Sequence, residues 1–512
     1  MGEVENQAVM SVGQAVARGL SGAVAVETFG GKLHVEWDPA AAVTPLGQLP
    51  FFIEFLKVSG LFERFVKECP LEYTSPNAPD KRDVLGTLLL SILSGHHRYA
   101  HITGIRMDGV NPGLLGMKKV LSEDSARRGL KKVDEAEGIQ WLEDQLSYVY
   151  EPLVLTDWIL DIDTTVKPLY GKQEGAVEGY NPKKPGRPSH AYHSYMMGNT
   201  RLIMNVEVQP GNQTGANFSA PDLFRLLESL PPEKRPRLIR GDIAFGNQPI
   251  MVRAEGANQG YLFKLRLTKN VKTLIEKLFN ESQWQSAGQG WEGVDSEVRL
   301  TGGSQSRRVV VLRRRIRETS VTKHDEQRRL QFCLENNPGS LYEYAVLVTN
   351  TKYPVVTIAQ LYRDRADCEN HFDELKNQWG WGGYTTHDLK RCRLISRMVA
   401  LIYNWWSVFV RLAHPDTHLE AITSRPLLLH AVAKQIEHAG QRHLTITSTH
   451  AMAETVQRAL TAVSDFLKEL KATAEQLDPV GLMYRILNHA FRILLGGKPL
   501  TPPQPTLGWA SG

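Results

Sequence analysis

The spacing of apolar positions along the chain changes character several times. Residues 1–20 read as a mobile leader of small and polar residues. Ala23–Glu27 and Lys32–Glu36 then flank Gly30-Gly31, two β-prone runs around a turn that predict a small hairpin. From Leu46 to Tyr148 the period becomes helical, with Phe51–Leu56 and Val84–Leu90 as apolar faces. Within that region Ser122 is placed to cap a helix running to Lys132, whose exposed side gathers Arg127, Arg128, Lys131 and Lys132.

From residue 151 strand-like patterns take over. Trp158–Asp163 is a short apolar strand interrupted by acids, and Tyr192–Met197 with Arg201–Val208 form a hairpin around Gly198-Asn199. A helix is predicted over Pro221–Leu230, then strands at Arg237–Arg240 and Tyr261–Leu265, giving an α/β layer with acids at strand ends. Residues 266–345 carry short β-prone pieces, Gly-rich turns and a basic strand from Arg307 to Arg317, and read as a β-rich insertion. Leu341–Val348 returns toward the core sheet. Helices then dominate, over Val356–Gln378, Leu389–Leu412 and Met452–Leu470, with Trp405-Trp406 read as core or interface residues. The Pro-rich tail after Lys498 is expected to be disordered.

Composition narrows the class. The 512 residues are 42% hydrophobic and 22% charged, as in a folded soluble protein of several domains. No run reaches the roughly 20 apolar residues of a membrane span, and Val84–Leu93 is too short and too far along for a signal peptide, so a cytoplasmic protein without a membrane partner is expected. The four cysteines show no zinc spacing, and His96, His97 and His101 lack acidic or Cys companions at metal spacing. A net charge of +5 permits a nucleic-acid partner without requiring one. The basic helix suits DNA contact or simple solvation equally. The basic loop Lys183–Pro188, with Arg187, and the arginines of the insertion, Arg313 and Arg315 among them, are candidates for the DNA backbone; Trp284 and Trp291 suit base stacking or a core.

The stretch Tyr362–Lys376 carries the chemistry. At about 100° per residue, Tyr362, Arg365, Glu369 and Lys376 share a sector of about 60°, beside an apolar stripe of Leu361, Cys368, Phe372 and Leu375. One carboxylate, two cations and a phenol pointing together suit a metal-bound phosphodiester. An amphipathic helix with an Arg365–Glu369 pair fits the same pattern. Periodicity does not separate Glu369 from Asp373, nor Asp163 from Asp161 two residues earlier on the same strand face.

The spacing Y-x₂-R-x₃-E-x₆-K, filled by Tyr362, Arg365, Glu369 and Lys376, resembles the signature of the bacterial insertion-sequence transposases with an RNase H-like DDE fold. Ile162-Asp163-Thr164-Thr165 and Leu238–Asp242 are similar to its first and second acid motifs. Gly241–Phe245 and Gln378–Gly382 bring the chain nearest the group-one DDE-domain transposases. The resemblance covers roughly residues 150–410 and implies Asp163, Asp242 and Glu369 as catalytic metal ligands. It implies Mg²⁺ as two ions, with Mn²⁺ able to substitute, and an RNase H-like α/β core interrupted by a β-rich insertion.

On this reading residues 1–150 form a mainly helical DNA-binding region and 151–265 the first part of the core. The insertion is 266–345, the second part of the core with the Glu-bearing helix is 346–415, and 416–512 is a helical C-terminal region suited to dimerisation. The implied activity is cleavage at terminal inverted repeats and transfer of the 3′-OH to target DNA by a homodimer. A metal-dependent nuclease without strand transfer and an inactive DNA-binding regulator are the alternatives.

Overall fold

The acid-interrupted run becomes the long strand β4 (Ile159–Pro168) near the middle of a nine-stranded sheet. The computed structural model describes residues 23–155, 157–181, 184–213, 215–281, 283–300, 303, 305–316, 341–447, 450–473 and 479–502. The leader, Lys183, Arg317 and the end of the Pro-rich tail lie outside them. Ahead of the sheet stands the exposed hairpin β1 (Val24–Thr28) and β2 (Gly31–Val35), with Thr28 opposite Gly31. A short strand, β3 (Val43–Thr44), follows.

The longer N-terminal helices are α1 (Leu49–Ser59), α2 (Leu61–Glu68), α3 (Lys81–Leu93), α4 (Glu123–Lys132) and α5 (Glu135–Tyr150). Their ends obey simple capping: Asp80, Ser122 and Asp134 each accept a backbone N–H of the following first turn.

The sheet adds β5 (Ser189–Met197), β6 (Leu202–Pro210), β7 (Leu238–Gly241), β8 (Tyr261–Lys264), β9 (Gln285–Gly288), β10 (Trp291–Arg299), β11 (Ser306–Ile316) and β12 (Leu341–Thr349). Their spatial order is β6-β5-β4-β7-β8-β12-β11-β10-β9. Only β4–β7 and β7–β8 pair in parallel; the other neighbours are antiparallel. β12 therefore returns beside β8, and the strands between them extend the same sheet.

Alternation assigns the two faces. Ile239, Phe263, Val309, Val311, Val346 and Val348 join the main core, while Leu238, Leu262, Val310, Leu312 and Leu347 form a second cluster on the other face. That second face is covered by helix α9 (Val355–Arg363) through Val355, Ile358 and Ala359. Between the strands lie helices α6 (Gly215–Ser229), α7 (Gln248–Gly256) and α8 (Lys269–Glu281); α8 opens the segment read from sequence as β-rich.

The single helix expected over Val356–Gln378 is two. α9 ends at Arg363 and α10 runs from Ala366 to Gln378. At Asp364 and Arg365 the backbone tightens, with Arg365 N–H donating to Tyr362 C=O three residues back. The break re-aims Arg365 without leaving helical territory (φ −67°, ψ −20°).

Helix α11 (Leu389–Ala413) is buried along most of its length, and Trp405 and Trp406 meet Phe65 and Phe52 of the N-terminal helices. Past α12 (Ala421–Leu428), the region read as helical contains a hairpin, β13 (Ala433–His438) and β14 (Gln441–Ile446), which pairs with β3. Helices α13 (Ala453–Thr473) and α14 (Pro479–Ala490) follow. Among the described residues no helix is long and apolar enough to cross a membrane.

Candidate functional site

The face beneath α9 carries Ile159 on β4 and Leu238 on β7. Counting in twos puts Asp161 and Asp163 on that face of β4, and Arg240 and then Asp242 on that face of β7 or just past its end. Asp161 pairs in register with Arg240, and Ile162 with Gly241, so Asp163 and Asp242 follow the last parallel pair, at the end of β7 and partway along β4. A sheet's carboxyl edge is where an open α/β fold places its site.

The two aspartates of β4 meet different arginines. Arg240 Nε and Nη2 donate to the two carboxylate oxygens of Asp161, each at 2.6 Å, in a pair almost fully buried. Arg240 Nη1 also donates to the Leu361 carbonyl of α9 at 2.5 Å. Arg365, 4% exposed at the α9–α10 break, stands 3.4 Å from Asp163 Oδ2 and donates to Glu369 Oε1 at 3.0 Å. Asp163 further accepts the Thr164 N–H at 2.8 Å, and Asp242 accepts that of Ala244 at 2.9 Å, a local turn that fixes its carboxylate.

Electrostatics tie the group together. Burial pushes the Asp163 carboxyl up to about 7; Arg365 opposes the shift, and the nearby Asp242 and Glu369 carboxylates add to it. Tyr362 is pushed up to about 12, first by burial, with Arg365 opposing and the same three acids contributing. Asp163, Asp242, Glu369, Arg365 and Tyr362 are therefore one electrostatic cluster. Lys376 and Asp242 line a common cleft of about 1120 Å³ that continues along β4. Asp373, like Glu369, is exposed, whereas Glu374 is buried, accepting from Trp379 Nε1 and the Ala421 N–H and bonding His418.

The remaining sequence candidates stand elsewhere. Arg127 and Arg128 face Asp124 on α4, and Lys131 is exposed at its end, where Lys390 closes the helix by donating to the Lys131 and Val133 carbonyls. Arg187 is exposed and lies over the Tyr170 ring. Arg313 pairs with Glu292 and is enclosed by Trp284, Phe279 and Tyr342, while Arg315 is exposed. Trp284 is thus part of a box around an arginine, and Trp291 lies beneath Arg314.

Two features escaped the sequence reading. Arg240 is the partner that distinguishes Asp161 from Asp163; its signal was its in-step position on a parallel neighbour, visible only with the register known. Lys167, buried at the cleft, donates to the Gly383 carbonyl and is pulled down to about 8 by burial.

A piggyBac transposase synaptic complex with hairpin DNA is a solved structure to which the chain is similar: 11% identity over 87% of this chain and 85% of that chain, with a TM-score of 0.38. No curated protein matches the chain. The family model described as transposase DDE domain, group 1, matches residues 73–467. With well over half its length matched, the chain belongs to the group 1 DDE-domain transposase family.

Proposed function

We propose that this protein is a bacterial insertion-sequence transposase that binds terminal inverted repeats, cuts DNA at the element's ends and joins the 3′-OH ends to target DNA. The observation that carries the reading is that Arg365, at the α9–α10 break, contacts both Asp163 and Glu369, while the Asp242 charge is felt by Asp163 just past the last parallel β4–β7 pair. Family membership supports the same reading.

The donor set suits a hard divalent cation. Burial, and then the Asp242 and Glu369 charges, lift the Asp163 carboxyl against the single opposing guanidinium of Arg365. Among the described residues no three such groups are drawn together to hold an ion, and Arg365 bonds to two of the acids. In donor chemistry the residues fit: Asp163, Asp242 and Glu369 would hold two Mg²⁺ ions, with Mn²⁺ able to substitute. When bound, the pair supplies activation of the attacking oxygen and stabilisation of the leaving one.

The chain's own groups do the positioning. Arg365 and Lys376 offer cations to the phosphate oxygens, and the Tyr362 phenol, neutral at working pH, can donate a hydrogen bond there. Arg127, Arg128, Lys131, Arg187 and Arg315 would hold the DNA backbone, with Arg313 shaping its strand through the aromatic box. Two copies would pair the two ends, in the cytoplasm and at the nucleoid.

Labelled terminal-repeat DNA, a target plasmid and Mg²⁺ test the reading. Cleavage with joined product is expected, and Glu369→Gln should lower both by at least about a hundredfold, since even residues behind a metal ligand cost 10–100-fold. Cleavage without joining would reduce the proposal to a nuclease. Binding without cleavage, unchanged by Glu369→Gln, would overturn it.

A further inference from the structure

The cleft beside the acids is built for more than a phosphate. The connection from β4 to β5 brings Tyr170 and Tyr180 to its wall, 68% and 71% exposed. Lys184 Nζ donates to the Tyr170 hydroxyl and lies 5.0 Å from its ring centroid, and the Arg187 guanidinium lies 4.9 Å from it, so two cations gather at a ring that stays largely exposed. Arg266 and Lys376 also line it, and Asp242 is the only acid among its described lining residues.

We propose that this cleft holds an unpaired stretch of the DNA strand next to the scissile phosphate, its bases stacked on Tyr170 and Tyr180. The inference rests on reading the acids as a DNA-cutting site. The excess of cations selects a polyanion. The open phenol rings then select unstacked bases, because paired and stacked bases have no face to offer them. A volume just above the range of small-ligand sites suits a short segment rather than a duplex. The segment would anchor a cut or opened strand while its phosphate sits at Asp242.

Fluorescence anisotropy with full-length protein in EDTA tests this, using a short labelled oligothymidylate and the same strand annealed to its complement. The Tyr170→Ala, Tyr180→Ala double variant should bind the single strand at least about tenfold more weakly, in line with the loss of base stacking. Duplex affinity should stay within about twofold, because phosphate contacts carry it. Tyr170→Phe with Tyr180→Phe should retain single-strand binding, and Tyr180→Ala alone gives the same readout should the double variant lose its native melting temperature. Unchanged single-strand affinity, equal loss on both probes, equal weakening by the Phe pair, or no wild-type binding to the single strand would overturn the inference. Absence of end cleavage by the wild type overturns instead the reading on which it rests.

Discussion

Two residues apart on one face of β4, Asp161 and Asp163 are divided by their neighbours. Asp161 is consumed by Arg240 in a bidentate pair, while Asp163 shares Arg365 with Glu369 and stays next to Asp242. The first pair is structural and closely covered: a Cβ on Gly198 would stand 2.4 Å from Asp161 Oδ2. Asp161→Asn should leave the Arg240 charge buried without compensation and cost about 3–5 kcal/mol. Asp161→Leu with Arg240→Met should recover much of that loss. Urea denaturation decides the matter; a single-variant loss under about 1 kcal/mol would show the pair to be dispensable. The sequence could not make this division, since both acids fit the alternation and the deciding arginine lies 79 positions away. Glu369 and Asp373 were likewise inseparable by period, and only the four-residue spacing favoured Glu369. Both are exposed on α10, and what sets Glu369 apart is its bond from Arg365.

At the scale of elements, helices and strands with a strong apolar face were readable, and the misreadings have local causes. The α9–α10 break falls inside an uninterrupted amphipathic pattern, because Asp364 and Arg365 keep helical dihedrals and change only the hydrogen-bond step. The β13–β14 hairpin is mostly exposed, so burial wrote no alternation into Ala433–Ile446; Ala439 and Gly440, both at positive φ, mark its turn. The edge of β6 shows what one element does for another. In the middle of α11, Asn404 Oδ1 accepts the Ile203 N–H at 2.9 Å and Nδ2 donates to the Ile203 carbonyl at 2.8 Å. A helix side chain thereby covers an edge-strand residue that would otherwise stay open. Asn404→Leu should leave both groups buried and unpaired, costing about 2–4 kcal/mol and speeding exchange of the Ile203 amide. If that amide exchanges at the wild-type rate, the side chain is not what protects it.

The whole molecule is joined through buried charge as well as apolar packing. Arg397 of α11 bonds Glu207 of β6 and stands 3.7 Å from Glu143 of α5, while Arg225 of α6 reaches the same two acids. Burial on this scale sets two opposing pH dependences. His193, bonded to Thr164, is pulled down to about 4 by burial, whereas an unfolded histidine titrates near 6.5. Between those values the unfolded chain takes a proton the native state refuses, so acidification costs stability. Asp222 is held up to about 6, first by burial and then by Glu207, against about 3.9 when unfolded. Its contribution is fully present below the unfolded value and is lost as pH rises through 6. Asp163, also raised, acts with the same sign as Asp222. The melting temperature at pH 7.5 minus that at pH 5.0 should therefore shrink in His193→Gln and grow in Asp222→Asn, by a few degrees each, in metal-free protein. Calorimetry on the wild type and both variants separates the two effects; shifts of the same sign in both would show that burial does not govern these groups.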